Sequence, residues 1–463
     1  MIIRGGLLIT AAGPVPADLQ VAGTVIAAVT PPGAAAPSPG EEVFSAAGRW
    51  ILPGGVDVHT HFGMPLRPGV ASLGWRESSE AALLGGTTTI IDFANPEPGE
   101  SLAQAVDRWL AMAGGACLCD FGLHCTVSDT APERLAEIPA LVARGIPTFK
   151  GFLAYKGRLM LTESQMGLLM TGVKAAGGML LVHAEDGEMN AAAEQVLLAT
   201  GRTTPNWHPT AHPPESEQQA VARCLALALE HGCPLTVVHL SLEDSLAALE
   251  AARQRRRDGG PDLPLIGEVC LHHLLADDGL YRSGHESALS ALCSPPLRPP
   301  RHGRGLVQGL AAGRIDTLST DHCEFPLAVK AAAAAGGFPR VPNGCGGVGE
   351  RITLSYSELV RKGHLGPDRW IEAVAAKPAE IMGLSGRKGR LQPGYDADIV
   401  CFDPRAEGLW QPLGSSDRAG NLYKDLPVTG QVTDVWLRGR RVVDRGRLCG
   451  DQPGGEFLPR LLS

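Results

Sequence analysis

The stretch GGVDVHTHF, residues 54–62, closes a short apolar run with two histidines separated by a single residue. Successive side chains on a strand point to opposite faces, so residues two apart share one face. His59 and His61 therefore reach the same space at a strand's end. Two imidazoles on one face begin a metal site without completing it, because a catalytic ion needs further protein ligands. Taken alone, the pair reads equally well as surface or hydrogen-bonded histidines. The rest of the chain decides between these readings.

Outward from this stretch the same texture recurs. Short apolar runs follow at TTTIIDFA (87–94), DFGLHCTV (120–127), IPTFKGF (146–152), GMLLVHA (178–184), LTVVHLS (235–241), LPLIGEVC (263–270) and IDTLSTD (315–321). Many are separated by Ala/Leu/Glu/Arg-rich segments of helical length, such as ESEQQAVARCLALALEHG (215–232). Strand–helix alternation implies a parallel sheet. With ILPGGVDVHTH there are eight runs, and eight over roughly 300 residues predict a closed (β/α)8 barrel more than an open sheet. The chain ends differ in texture. LLIT and TVIAAVT near the start, and GYDADIVCFDP and VTDVWLRGRRVVDRG near the end, read as strands and hairpins. The expected architecture is an α/β chain. A TIM-like barrel occupies residues 51–385, and a small β-sandwich domain is built from residues 1–50 and 386–463.

Composition narrows the function. Hydrophobic residues make up 44% and charged residues 19% of the 463, which is ordinary for a globular protein. A formal charge of −8 and a pI near 6.0 argue against nucleic-acid or anionic-membrane partners. The basic cluster RQRRR (253–257) ends a helical stretch, where it is expected to complement the helix dipole and face water. With no secretory leader, no membrane-length apolar run and 11 scattered cysteines, a cytoplasmic location with reduced thiols is expected. Cys117 and Cys119 match no zinc-finger spacing and are expected to be structural.

In a (β/α)8 barrel, catalytic residues come from the C-terminal ends of several strands. The ends of the runs carry His59, His61, Lys150, His183, His239 and Asp321. Six polar groups, each closing an apolar run, would converge on one mouth. Lys150 stands apart, since an ammonium has no lone pair for a cation. Either it is a plain cation near substrate, or its nitrogen is carboxylated to an anion able to bridge two metals. Spacing leaves both open.

The chain resembles the amidohydrolase superfamily and, within it, the dihydropyrimidinase/hydantoinase group. The resemblance runs through LPGGVDVHTHF, GGTTTIIDF, KGFLAYKG, LVHAED, HPPESEQQAV, VVHLS, CSPPLR, STDHC, VPNGCGG, AAKPAEIMGL and GYDADIV, in that order. It implies that His59, His61 and Asp321 bind one metal and His183 and His239 a second. Lys150, as N6-carboxylysine (a CO2-derived carbamate), would bridge both together with a hydroxide. Zinc suits imidazole and carboxylate ligands, and manganese, iron or cobalt fit as well. The implied reaction is hydrolysis of the ring C–N amide of a dihydropyrimidine or 5-substituted hydantoin to an N-carbamoyl amino acid. Asp321 would move the proton and Tyr155 would stabilise the oxyanion, while Ser294 and Asn343 would grip the imide edge of this small cyclic substrate. His322 and Cys323 are expected only to support Asp321, and Glu324 departs from the proline that the resemblance leads one to expect.

Met64, Leu66, Phe152 and Leu159 are expected to line the pocket for the exocyclic group, a core role for Phe152 and Leu159 being as good a reading. The resemblance further implies a homotetramer, with the tail CGDQPGGEFLPRLLS packing on a neighbour. Allantoinase is the nearest alternative, disfavoured by Tyr155 and Ser294. Dihydroorotase would call for an arginine behind the HxH pair, and Arg67 is the candidate. A non-catalytic scaffold of the same fold is disfavoured because every ligand position holds a competent residue.

Overall fold

In the computed structural model, which describes residues 1–450 and 454–462, each of the eight apolar runs contains a strand. They are β1 (Gly55–Thr60), β2 (Thr87–Ala94), β3 (Asp120–Thr126), β4 (Thr148–Phe152), β5 (Met179–His183), β6 (Leu235–Val237), β7 (Leu265–Cys270) and β8 (Thr317–Ser319). They pair in chain order, all parallel. Every residue of these strands is buried, as expected where helices coat one face and the barrel interior fills the other. That double burial explains why the runs are continuously apolar rather than alternating.

Side chains and loops close the ring between β8 and β1. The His61 amide donates to the His322 carbonyl at 2.8 Å. Thr320 Oγ1 donates to Asp57 Oδ2 at 2.7 Å. The fully buried Arg351 guanidinium donates to the carbonyls of Val56 and Leu318 and lies 3.6 Å from Asp57. The helices follow local rules. Those starting at Leu102 and Glu163 open on capping boxes, Ser101 with Gln104 and Thr162 with Gln165. The helix Pro214–His231 ends at Gly232, whose φ of 62° suits a residue without Cβ. In the helix Glu243–Arg257, Arg255 to Arg257 form the basic last turn as expected. Arg253 departs from that expectation: it ties the helix to the barrel by donating to the carbonyls of Leu265 and Arg314 and pairing with Asp316.

A nine-stranded sheet draws on both chain ends. Trp50–Pro53 runs antiparallel to Ile399–Leu409, with Ile51 opposite Cys401. Its joint with the barrel is a buried ionic cluster, in which Lys388 Nζ lies 2.6 Å from Asp120, 2.8 Å from Asp398 and 3.0 Å from Asp396. Of the tail, Asp451 to Pro453 and Ser463 lie outside the described residues. The remainder seats against this chain's own barrel, with Leu458 N donating to Phe121 O and Arg460 buried against Thr148. Among the described residues no helix is long and apolar enough to cross a membrane. All 11 cysteines are free, Cys117 and Cys119 lying buried beside one another.

Candidate metal centre

The barrel brings the six strand-end groups together. His59 is the penultimate residue of β1 and His61 follows its end; Lys150 lies within β4 and His183 ends β5; His239 and Asp321 lie two residues beyond β6 and β8. Asp321 Oδ1 is 3.0 Å from His59 Nε2 and 3.2 Å from His61 Nε2. Lys150 Nζ is 3.0 Å from the same His59 nitrogen. His239 joins the two halves, its ring centroid 5.5 Å from that of His59 and 4.6 Å from that of His183. His239 and Asp321 hold positive φ of 41° and 49°, a strained conformation for non-glycine residues that functional sites tend to retain.

The donor set fits a pair of divalent cations. Both ring nitrogens of His239 and Nδ1 of His61 are buried without a hydrogen-bond partner, a costly state unless a lone pair is meant for something else. His59 donates from Nδ1 to Glu268 Oε1 at 2.6 Å, which points Nε2 toward Asp321 and Lys150. His183 donates from Nε2 to Glu185 Oε2 at 2.8 Å, which frees its Nδ1. Carboxylates behind ligating histidines fix the tautomer in this way. Glu268 also accepts from Ser319 Oγ and the His239 amide, and Glu185 accepts from His212 Nδ1 at 2.8 Å.

Neither glutamate was singled out from the sequence. The available signal was an acidic residue inside the apolar run LPLIGEVC and another directly behind VHA.

Burial organises the charges. It lowers the Lys150 ammonium toward neutrality, against the pull of Asp321 and Glu268. It brings His61 down to about 4 and holds His239 well below the usual imidazole range. At His59, burial and Lys150 oppose protonation, but the carboxylates of Asp321 and Glu268 prevail and set its pKa at about 8. Burial alone would raise Asp321, yet His59 and His61 hold it well below the usual carboxylate range. The outcome is an anionic Asp321 facing a His59 that holds a second proton, with His61 and His239 kept neutral; a cation at His59 Nε2 would take that proton's place.

The substrate-contact candidates meet beside this cluster. Tyr155, at φ 63°, places its ring 5.1 Å from His183. Burial raises the pKa of its hydroxyl, and the Ser294 side chain lowers it by less. Asn343 Nδ2 donates to Ser294 Oγ at 3.0 Å, while its Oδ1 is buried and unpartnered. Phe152 is buried and stacks on His183 with centroids 5.5 Å apart, so it supports a ring of the cluster; Met64, Leu66 and Leu159 are half-buried. Arg67 donates to the Arg340 carbonyl at 2.9 Å. His322 accepts from the Gly347 amide and meets Ser78 Oγ, which ties down the residue next to Asp321.

Eight parallel strands with imidazole and carboxylate donors at their C-terminal ends define the class of metal-assisted barrel hydrolases. Residues 50–442 match the model of the amidohydrolase family. The chain is 38% identical to a D-hydantoinase from Streptomyces coelicolor over 99% of its own length and 97% of that protein's. It is 34% identical to a D-hydantoinase from Ralstonia pickettii over 99% of its length and 98% of that protein's. A solved dihydropyrimidinase from Brevibacillus agri superposes with a TM-score of 0.95 at 32% identity, covering 99% of this chain and 98% of the other. The chain belongs to the amidohydrolase family, in its hydantoinase–dihydropyrimidinase group.

Proposed function

We propose that this protein hydrolyses the ring amide of a 5-substituted hydantoin or a dihydropyrimidine, releasing an N-carbamoyl amino acid. The observation that carries the reading is the Tyr155 ring 5.1 Å from His183 in the histidine cluster, with Asn343 hydrogen-bonded to Ser294, in a chain whose relatives are named D-hydantoinase. His59, His61 and Asp321 would hold one divalent ion, His183 and His239 a second, with Lys150 shared between them; zinc suits these donors, as do manganese, iron or cobalt. Bound there, two such ions supply Lewis acidity and a water that ionises near neutral pH.

The chain's own groups account for the remaining steps. The lowered pKa of Lys150 favours the neutral amine, the form whose nitrogen adds to CO2 with loss of one proton. That step converts the side chain into an anion with two oxygens. Asp321, held anionic by its imidazole neighbours, accepts a proton from the attacking water and returns it to the ring nitrogen as the C–N bond breaks. Tyr155 keeps its proton at neutral pH and donates it as a hydrogen bond to the developing oxyanion. Ser294 and Asn343 orient the imide edge through hydroxyl and backbone contacts. The same reading divides the chain near residues 50 and 385, and by resemblance takes the assembled protein to be a cytoplasmic homotetramer.

The test is ring opening by metal-replete protein on dihydrouracil, both enantiomers of a 5-aryl hydantoin, and allantoin, with carbamoyl product measured directly. Opening of dihydrouracil or one hydantoin enantiomer, without cleavage of allantoin, is the expected result. Cleavage of allantoin alone would overturn the assignment of Tyr155, Ser294 and Asn343. His59→Ala and His61→Ala should lower metal content and turnover together. Full turnover with full metal content in both variants would refute the ligand assignment.

A further inference from the structure

Beyond the six groups of the proposed centre, the end of β7 carries a second set of metal-type donors. Ligand atoms of Cys270, His272 and His273 all lie within 4.8 Å of one another. The three residues are 0%, 1% and 4% exposed. The imidazoles face each other with centroids 4.2 Å apart and planes inclined by 56°. His273 donates from Nε2 to the Pro295 carbonyl at 3.0 Å, so its Nδ1 carries the lone pair, and that nitrogen is buried without a partner. A ring held through its second nitrogen by a backbone carbonyl is how ligating histidines are commonly oriented. At His272 neither ring nitrogen has a partner. Burying an imidazole with both nitrogens unsatisfied is costly, and no catalytic step above employs this residue.

We propose that Cys270, His272 and His273 form a third metal site, separate from the centre at His59, His61, His183, His239 and Asp321. One thiolate and two neutral imidazoles select a borderline-soft divalent ion such as zinc, cobalt or cadmium over magnesium or calcium. Three protein ligands leave a fourth position for water. As the Sγ–metal bond forms, the Cys270 S–H bond breaks and its proton goes to solvent. Tetrahedral bonds of about 2.0–2.3 Å put donor atoms roughly 3.4–3.6 Å apart. A small turn of the His272 ring, which no hydrogen bond restrains, draws the set together. The site adjoins the proposed centre through Glu268, whose Oε1 lies 4.0 Å from Cys270 Sγ and accepts from His59.

The test uses the full-length protein, already loaded with its tightly held metal, titrated with Co2+ and analysed for bound metal and near-ultraviolet absorption. None of the residues proposed for the first centre is a cysteine, so a thiolate-to-cobalt charge-transfer band reports only on a cysteine-containing site. Wild type should develop that band with saturation at one ion per chain. Cys270→Ser should lose both the band and the added ion. His272→Gln, which keeps the thiol and serves if the serine variant misfolds, should weaken Co2+ binding by about tenfold or more. Equal stoichiometry and no band in wild type would mean that the cluster holds water only, and would overturn the proposal. A band that survives Cys270→Ser would assign it to another thiol. Unchanged affinity in both His272→Gln and His273→Gln would assign Cys270 to His59 and Glu268 instead; either result overturns the site. The band is independent of turnover, so failure of the hydrolase reading and failure of this site are distinguishable.

Discussion

Glu268 shows how much of the site is decided one residue behind the proposed ligands. Its Oε1 takes the Nδ1 proton of His59 at 2.6 Å, and its Oε2 is held by Ser319. That hydrogen bond fixes which nitrogen of His59 faces the other donors and supplies negative charge behind it. Glu268→Gln keeps the shape and removes the charge. It is expected to weaken metal retention by about 10–100-fold, read by competition with a chelator while circular dichroism stays unchanged. Equal retention in variant and wild type would show that the carboxylate does no more than fill space. The proposed ligands were legible in the sequence because each lies at or near the end of an apolar run, a signal contained within a few residues. Glu268 was not, since a glutamate within an apolar run does not reveal which distant side chain it meets.

At the scale of elements, the loop after β8 carries Asp321 at one end and Glu324 at the other, and a segment near residue 417 straps over it. Glu324 Oε1 accepts from the Asp417 amide at 2.5 Å, while Oε2 is buried without a partner. Burial, reinforced by the nearby carboxylate of Glu350, pushes the Glu324 pKa from 4.5 up to about 7. Between those values the folded state binds more protons than the unfolded chain, so stability falls as pH rises through this window. The contribution is full below 4.5 and lost as pH passes about 7. Asp92, raised by burial to about 7, acts in the same direction. Melting temperatures at pH 5 and 7.5 should therefore differ more in wild type than in Glu324→Gln. An identical difference in both proteins would remove Glu324 from the pH response. The sequence marked Glu324 as a departure from an expected proline. Its charge state depends on the strap from residues nearly a hundred positions away, which no local pattern reports.

At the scale of the molecule, barrel and end-built sheet are joined through the buried Lys388 and the carboxylates of Asp120, Asp396 and Asp398. Asp120 opens β3, whereas Asp396 and Asp398 precede the strand Ile399–Leu409, so one ammonium holds both bodies. Removing it leaves acidic groups buried and uncompensated, which costs about 3–5 kcal/mol. Lys388→Met should lower the urea midpoint accordingly, and an unchanged midpoint would show that the joint relies on apolar packing instead.

The order of eight strands, the return of sheet texture at both chain ends and the six strand-end groups were determined by the sequence alone. Strand period, apolar runs and the polar residue that closes each run are all local. Only the tertiary structure decided that Glu268 stands behind His59, that Tyr155 lies against His183, and that Asn343 is hydrogen-bonded to Ser294. Those meetings depend on how a closed barrel and its loops set distances between residues far apart in the chain, and that closure is a property of all eight strands together.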